Sequence, residues 1–139
     1  SKSDLEESIE IKSPNHFIKD IDTDILIISH GKMISNALKA FEINPIFSLF
    51  AMDRIKPLDG DKLLRLFKRF TKIFVLEDNF RSGLYNSICQ WSIEYSSPHK
   101  NILSISPEES YDDILGNSDY LENLHGLSPK KILKRIEKS

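Results

Sequence analysis

Four short apolar runs, each five or six residues long, most constrain what this chain can fold into. They are rich in isoleucine, valine and phenylalanine, which is typical of strands buried on both faces, as parallel strands are. We therefore predict strands at residues 25–29, 46–51, 73–77 and 101–105.

The segments between these runs carry apolar residues at the three- and four-residue spacing of one helix face. Strands that alternate with single helices form parallel βαβ units with right-handed crossovers. The pattern predicts an α/β domain with three layers, in which helices cover both faces of a mostly parallel sheet. The three stripes are Ile34, Ala37, Leu38 and Phe41, then Leu63, Leu64 and Phe67, then Leu84, Ile88, Trp91 and Tyr95.

A further helix is predicted near the C-terminal end of the sequence. Ser128 is a favourable N-cap residue, and Pro129 has the backbone angle suited to the first helical position. Its apolar face consists of Ile132, Leu133 and Ile136.

The length of 139 residues is typical of one domain. Residues 1–14 are polar and lack helical or strand period, so we interpret them as a linker. Residues 15–139 form the predicted domain, which begins with a short edge strand at residues 16–18.

The composition excludes several function classes. A net charge of −2 provides no general attraction for nucleic acid or an anionic membrane. The apolar runs are far shorter than the roughly 20 residues that span a bilayer. With Cys89 as the single cysteine and no visible secretion signal, the sequence favours a cytoplasmic protein.

Polar loops follow the first three buried strands, and ligands of open α/β sheets bind at that edge. The third loop leads into a helix start, where free N–H groups and the helix dipole favour an anion. These loops are the candidate anion-binding or interface sites. Their residues are His30 and Gly31, then Asp53, Arg54 and Lys56, then Glu77, Asp78, Arg81 and Gly83.

The same loops lack the signatures of a catalytic centre. His30 is a possible general base, but no serine, cysteine or metal-ligand pattern accompanies it, so a structural loop histidine is the favoured interpretation. Neither a dinucleotide-binding glycine motif nor a Walker A sequence occurs. We predict no catalytic, cofactor-binding or metal-ligating residue in this chain.

Four segments, in this order, resemble the C-terminal domain of transketolases, deoxyxylulose-phosphate synthases and the β subunits of 2-oxoacid dehydrogenases. The most specific is an acid, Asp53, followed shortly by Ile-Lys-Pro-Leu-Asp at residues 55–59. The others are the strand and glycine turn at 24–31, the paired acids and helix entry at 75–84, and residues 120–128, which contain a leucine followed by a closing Gly-Leu-Ser. The resemblance covers about residues 10–137.

One departure from the family pattern concerns glycine. The family usually has two glycines where Ser82 and Gly83 stand, and often another where Tyr85 stands. The packing of that helix start must therefore differ here.

The resemblance implies a five-stranded sheet with one antiparallel edge strand. It also implies that thiamine diphosphate and magnesium are held by two preceding domains or a preceding subunit, and not by this segment. Residues 1–14 would then be the connector from the preceding domain. The implied role is non-catalytic, namely domain packing and homodimer formation in a two-carbon transferase or a related 2-oxo acid enzyme.

Two alternatives remain from the residues themselves. A free-standing domain could hold a small anion with the loops of His30, Arg54 and Arg81. A protein-interaction domain could instead dock a carrier subunit.

Overall fold

A five-stranded sheet forms the centre of the molecule. The computed structural model describes residues 15–52, 60–77, 83–94, 101–106 and 127–139. The strand order is β1-β3-β2-β4-β5, in which β1 pairs antiparallel with β3 and all other pairs are parallel. The strands are β1 (Asn15–Lys19), β2 (Ile25–Ser29), β3 (Ser48–Met52), β4 (Lys72–Leu76) and β5 (Ile102–Ile105).

Four helices in the described part of the chain cover the two faces of this sheet. Helices α1 (Met33–Ile43) and α4 (Pro129–Lys138) pack on one face, whereas α2 (Gly60–Arg69) and α3 (Leu84–Glu94) pack on the other. This arrangement follows from right-handed crossovers, because the chain leaves β2 in one direction and later returns past it in the other. The three-layer α/β/α architecture predicted from the sequence is confirmed.

The alternation of side chains along each strand divides the core in two. Ile27, Leu49 and Phe74 point toward α1 and α4. Leu26 and Val75 point toward α2 and α3. Because both faces of these strands are buried, each strand is mostly apolar and lacks a polar-apolar alternation.

The predicted element bounds differ from the observed ones by small amounts. The prediction for β2 is confirmed without change, and the edge strand β1 extends over Asn15–Lys19. Strand β3 begins two residues later than predicted, after Ile46, whose carbonyl accepts a hydrogen bond from Thr23 Oγ1 at 2.9 Å.

The predicted apolar stripe of α2 is wrong at one position. Leu64 is 36% exposed, and the residue that is buried beside Leu63 and Phe67 is Leu66. Leu63, Leu66 and Phe67 have the i, i+3, i+4 spacing of a single face, whereas Leu64 lies beside that face. The prediction chose Leu64 instead of Leu66 because each of these leucines is adjacent to an apolar residue of the buried face.

The predicted start of the last helix is confirmed. Ser128 has an extended backbone, its Oγ accepts a hydrogen bond from the N–H of Lys131 at 3.3 Å, and Pro129 begins α4. Among the described residues the longest helices have 11 residues, and no helix is long and apolar enough to cross a membrane.

Candidate functional site: the polar edge between β2 and β4

The topology points to one position in the sheet as the natural ligand site. The chain passes from β2 to β3 on one side and later to β4 on the other, so the strand order reverses between β2 and β4. In open α/β sheets the loops at the carboxyl ends of such strands part and leave a crevice. Here that edge carries His30 and Gly31 after β2, and Glu77 after β4.

A buried hydroxyl joins the two strands at this point. Ser29 is fully buried, and its Oγ donates a hydrogen bond to the carbonyl oxygen of Leu76 at 2.9 Å. The backbone N–H of Glu77 in turn donates to the carbonyl of Ile105 at 3.2 Å. These bonds fix the ends of three neighbouring strands and hence the starting positions of the loops that follow.

The Glu77 carboxylate lies at the N-terminal end of α3. Its Oε1 accepts a hydrogen bond from the N–H of Leu84 at 3.2 Å, and its Oε2 accepts one from the N–H of Tyr85 at 3.3 Å. The residue is only 4% exposed. The first N–H groups of a helix lack intrahelical partners, and the helix dipole favours a negative charge there. An anion from the chain itself therefore occupies the position at which the sequence suggested an external phosphate.

Two glycines precede the helices at this edge, Gly31 before α1 and Gly83 before α3. Gly31 has φ of 65° and Gly83 has φ of 70°. These values lie in the left-handed region, which residues other than glycine rarely adopt. Gly83 keeps this conformation although Ser82 and Tyr85 stand where the family pattern has further glycines. A single glycine is thus sufficient for the sharp entry into α3.

His30 is half-buried beside this edge. Its Nε2 is shielded from solvent and has no hydrogen-bond partner in the described part of the chain. A buried ring nitrogen without a partner carries a free-energy penalty, which a bound polar group would remove. This atom is the feature of the edge best suited to meet a ligand or a neighbouring domain.

The structure brings together part of the predicted site. His30, Gly31, Glu77 and Gly83 lie at the β2–β4 edge. The remaining predicted residues lie outside the described residues, so their role stays a prediction. They are Asp53, Arg54, Lys56, Asp78 and Arg81. Within the described ranges no three histidine, cysteine, aspartate or glutamate side chains form a cluster that could hold a metal ion.

A second surface, for which the sequence carries no signal, lies at the edge strand β1, beside the carboxyl end of β3. A groove of about 390 Å³ runs between β1 and α2. Its apolar floor includes Phe17, Phe50 and Leu66, while Lys62 and Arg65 add positive charge. Phe17 and Phe50 are in edge-to-face contact with ring centroids 5.1 Å apart, which fixes the floor. We call this surface the β1–α2 groove.

Basic residues on α2 hold the groove together. Lys62 Nζ donates a hydrogen bond to the carbonyl of Asn15, the first residue of β1. Arg69 pairs with Asp20, and its guanidinium lies 5.3 Å from the ring centre of Phe17. The hydrogen bond to Asp20 raises the pKa of Arg69. Helix and edge strand are thereby fixed relative to each other along the groove.

No family model and no curated protein matches this chain. Solved structures of other proteins do resemble it. A chain described as split-gene transketolase, inactive β4 tetramer, superposes with a TM-score of 0.68 at 20% identity, over 91% of this chain and 43% of that chain. A 2-oxoglutarate:ferredoxin oxidoreductase from Magnetococcus marinus, with 2-oxoglutarate, coenzyme A and succinyl-CoA bound, superposes with a TM-score of 0.62 at 14% identity, over 96% of this chain and 21% of that chain. This chain therefore has the transketolase C-terminal-like fold predicted from its sequence, and it spans less than half the length of either protein.

Proposed function

We propose that this chain serves as an accessory domain of a thiamine-diphosphate enzyme of the transketolase type. In this role it packs against the domains or subunit that hold thiamine diphosphate and magnesium, and it contributes to a homodimer. The chemistry of the whole enzyme would be the transfer of a two-carbon unit or a related reaction of a 2-oxo acid. The reactive groups would lie in the partner domains.

The observation that carries the proposal is the state of the β2–β4 edge. The Glu77 carboxylate already satisfies the N–H groups of Leu84 and Tyr85, which an external diphosphate would otherwise use. A second buried anion at that helix start would repel the first. The edge is better suited to contact another protein surface than to bind a diphosphate.

The solved relatives support the same role by their descriptions. One is a split-gene transketolase whose β4 tetramer is described as inactive, and the other is a 2-oxo acid oxidoreductase. Both are longer chains, of which this fold covers less than half. Because this fold forms only part of each of those longer chains, we expect it to act together with further domains.

The test is a ketol-transfer assay of the purified chain with thiamine diphosphate, magnesium, a ketose phosphate donor and an aldose phosphate acceptor. We expect no turnover above that of buffer, and a complete transketolase serves as the positive control. Turnover that scales with the concentration of this chain and persists through two different purification steps would overturn the accessory role.

A second candidate, a free-standing domain that binds a small anion, is favoured by one observation. Nε2 of His30 is buried at the β2–β4 edge without a partner among the described residues, and a protonated Nε2 could donate a hydrogen bond to a phosphate oxygen. Calorimetric titration with sugar phosphates and nucleotides tests this candidate. Saturable heat that disappears in His30→Ala would support it, and the absence of heat across the panel would eliminate it.

A further inference from the structure

The β1–α2 groove combines an apolar floor with a positive charge that the described residues leave unbalanced. Phe50 and Leu66 belong to its apolar floor and are almost fully buried, with exposures of 3% and 4%. Arg65 is exposed at the rim and forms no ion pair with any residue in the described ranges. A fitting occupant would offer apolar side chains for the floor and carboxylates for the rim.

The segment that precedes β1 has this chemistry. Residues 5–11 read Leu-Glu-Glu-Ser-Ile-Glu-Ile, in which three apolar residues are interleaved with three acids and no base is present. Helix α2 has the opposite balance, with four basic residues against the single acid Asp61. The charges of the two segments are therefore complementary.

The position of the segment in the chain favours this occupant over others. Residue 14 is bonded directly to Asn15, which itself lines the groove. A ten-residue helix such as α2 is about 15 Å long. Five or six extended residues cover about the same distance, at roughly 3.3 Å each. Because the segment is joined directly to β1, its effective concentration at the groove is about millimolar, so that even weak binding would be populated.

We propose that residues 1–14 of this chain bind in the β1–α2 groove. Their leucine and isoleucine side chains cover Phe17, Phe50 and Leu66, and their carboxylates pair with the cationic rim at Arg65. The contact fixes the direction in which the chain enters the domain. Any element that precedes it would be held on the β1 side of the sheet. The inference depends on the groove alone and stands whether or not the domain serves a thiamine enzyme.

A paramagnetic label on the full 139-residue chain tests the proposal. A nitroxide is attached at Ser8→Cys in a Cys89→Ser background, and amide signals are compared before and after reduction of the label. We expect the amides of Phe17, Arg65 and Leu66 to lose most of their intensity. Ile136, which belongs to the core on the opposite face, should keep its intensity.

Matched charge reversals show whether the contact depends on the groove. Arg65→Glu should restore much of the intensity of the groove amides. Lys68→Glu reverses a charge on the same helix at a residue that does not line the groove, and the groove amides should remain broadened in this variant. Undiminished groove signals in the parent protein would overturn the proposal, as would equal effects of the two reversals. Broadening that appears when labelled and isotope-enriched chains are separate molecules would identify a second copy as the occupant and would also overturn it.

Discussion

At the scale of single residues, Glu77 illustrates how the chain satisfies its own helix end. The side chain leaves the end of β4 and accepts hydrogen bonds from the N–H groups of Leu84 and Tyr85. Because the residue is 4% exposed, the carboxylate takes the place of water as the partner of these N–H groups. The same carboxylate that stabilises α3 thus also reduces the capacity of this edge for an external anion.

Replacement of this carboxylate should destabilise the fold. We expect Glu77→Ala to lower the free energy of unfolding by about 2–3 kcal/mol, because two buried N–H groups lose a charged acceptor. Glu77→Gln, which keeps one acceptor oxygen, should lose less. Urea denaturation measures both values, and equal stability of Glu77→Ala and the parent protein would contradict the capping role.

Cys89 provides a prediction about pH dependence. Burial raises the pKa of this thiol, and a hydrogen bond with Tyr85 opposes the shift only in part. At a given pH the folded chain therefore holds less thiolate than the unfolded chain, and the thiolate is the reactive form. Iodoacetamide should modify Cys89 more slowly in the native protein than in urea, and the native rate should rise only at higher pH. Mass spectrometry measures both rates, and matching pH profiles would contradict the assignment.

The same shift has a consequence for stability. A thiol whose pKa is raised in the folded state binds its proton more tightly there than in the unfolded chain. Its contribution to stability is therefore present below the ordinary thiol pKa and is lost as the pH rises through the raised value.

At the scale of secondary-structure elements, the last helix depends on a short start signal. Ser128 is 8% exposed and caps α4, which packs against α1 and supplies Ile132 and Ile136 to the core. Most of the stability of such a helix comes from this packing, but the cap satisfies an N–H group that has no other partner in the helix.

Removal of the cap should have a moderate cost. Ser128→Ala is expected to lower the free energy of unfolding by about 1 kcal/mol, whereas Ser128→Thr, which keeps the hydroxyl, should lose much less. Thermal and urea unfolding followed by circular dichroism provides the comparison. A loss that is the same for both substitutions would show that the hydroxyl is not the stabilising group.

The elements also show how much the sequence could predict. Strand β2 and the cap of α4 were predictable because their signals are local, namely a continuous apolar run and a serine before a proline. Leu64 was mistaken for a core residue because a helix stripe is defined only to within one residue when two leucines are adjacent. The β1–α2 groove was not predictable, since it depends on how closely the side chains of β1, β3 and α2 pack against one another, which no local sequence pattern specifies.

At the scale of the whole molecule, two surfaces with different characters lie near the carboxyl ends of the parallel strands. The β2–β4 edge presents buried polar groups that are largely satisfied within the chain, with His30 as the exception. The β1–α2 groove presents apolar surface beside positive charge. The candidate site at the edge was predictable from the rule that ligands bind where strand order reverses, but the occupation of the helix end by Glu77 depends on side-chain geometry that no sequence motif encodes.

From these two surfaces we propose that the domain organises an assembly and does not hold the cofactor. Calorimetric titration of the 139-residue chain with thiamine diphosphate in the presence of magnesium tests this claim most directly. We expect no saturable heat at micromolar or submillimolar concentrations of thiamine diphosphate. Binding with a micromolar Kd, abolished by removal of magnesium, would contradict it.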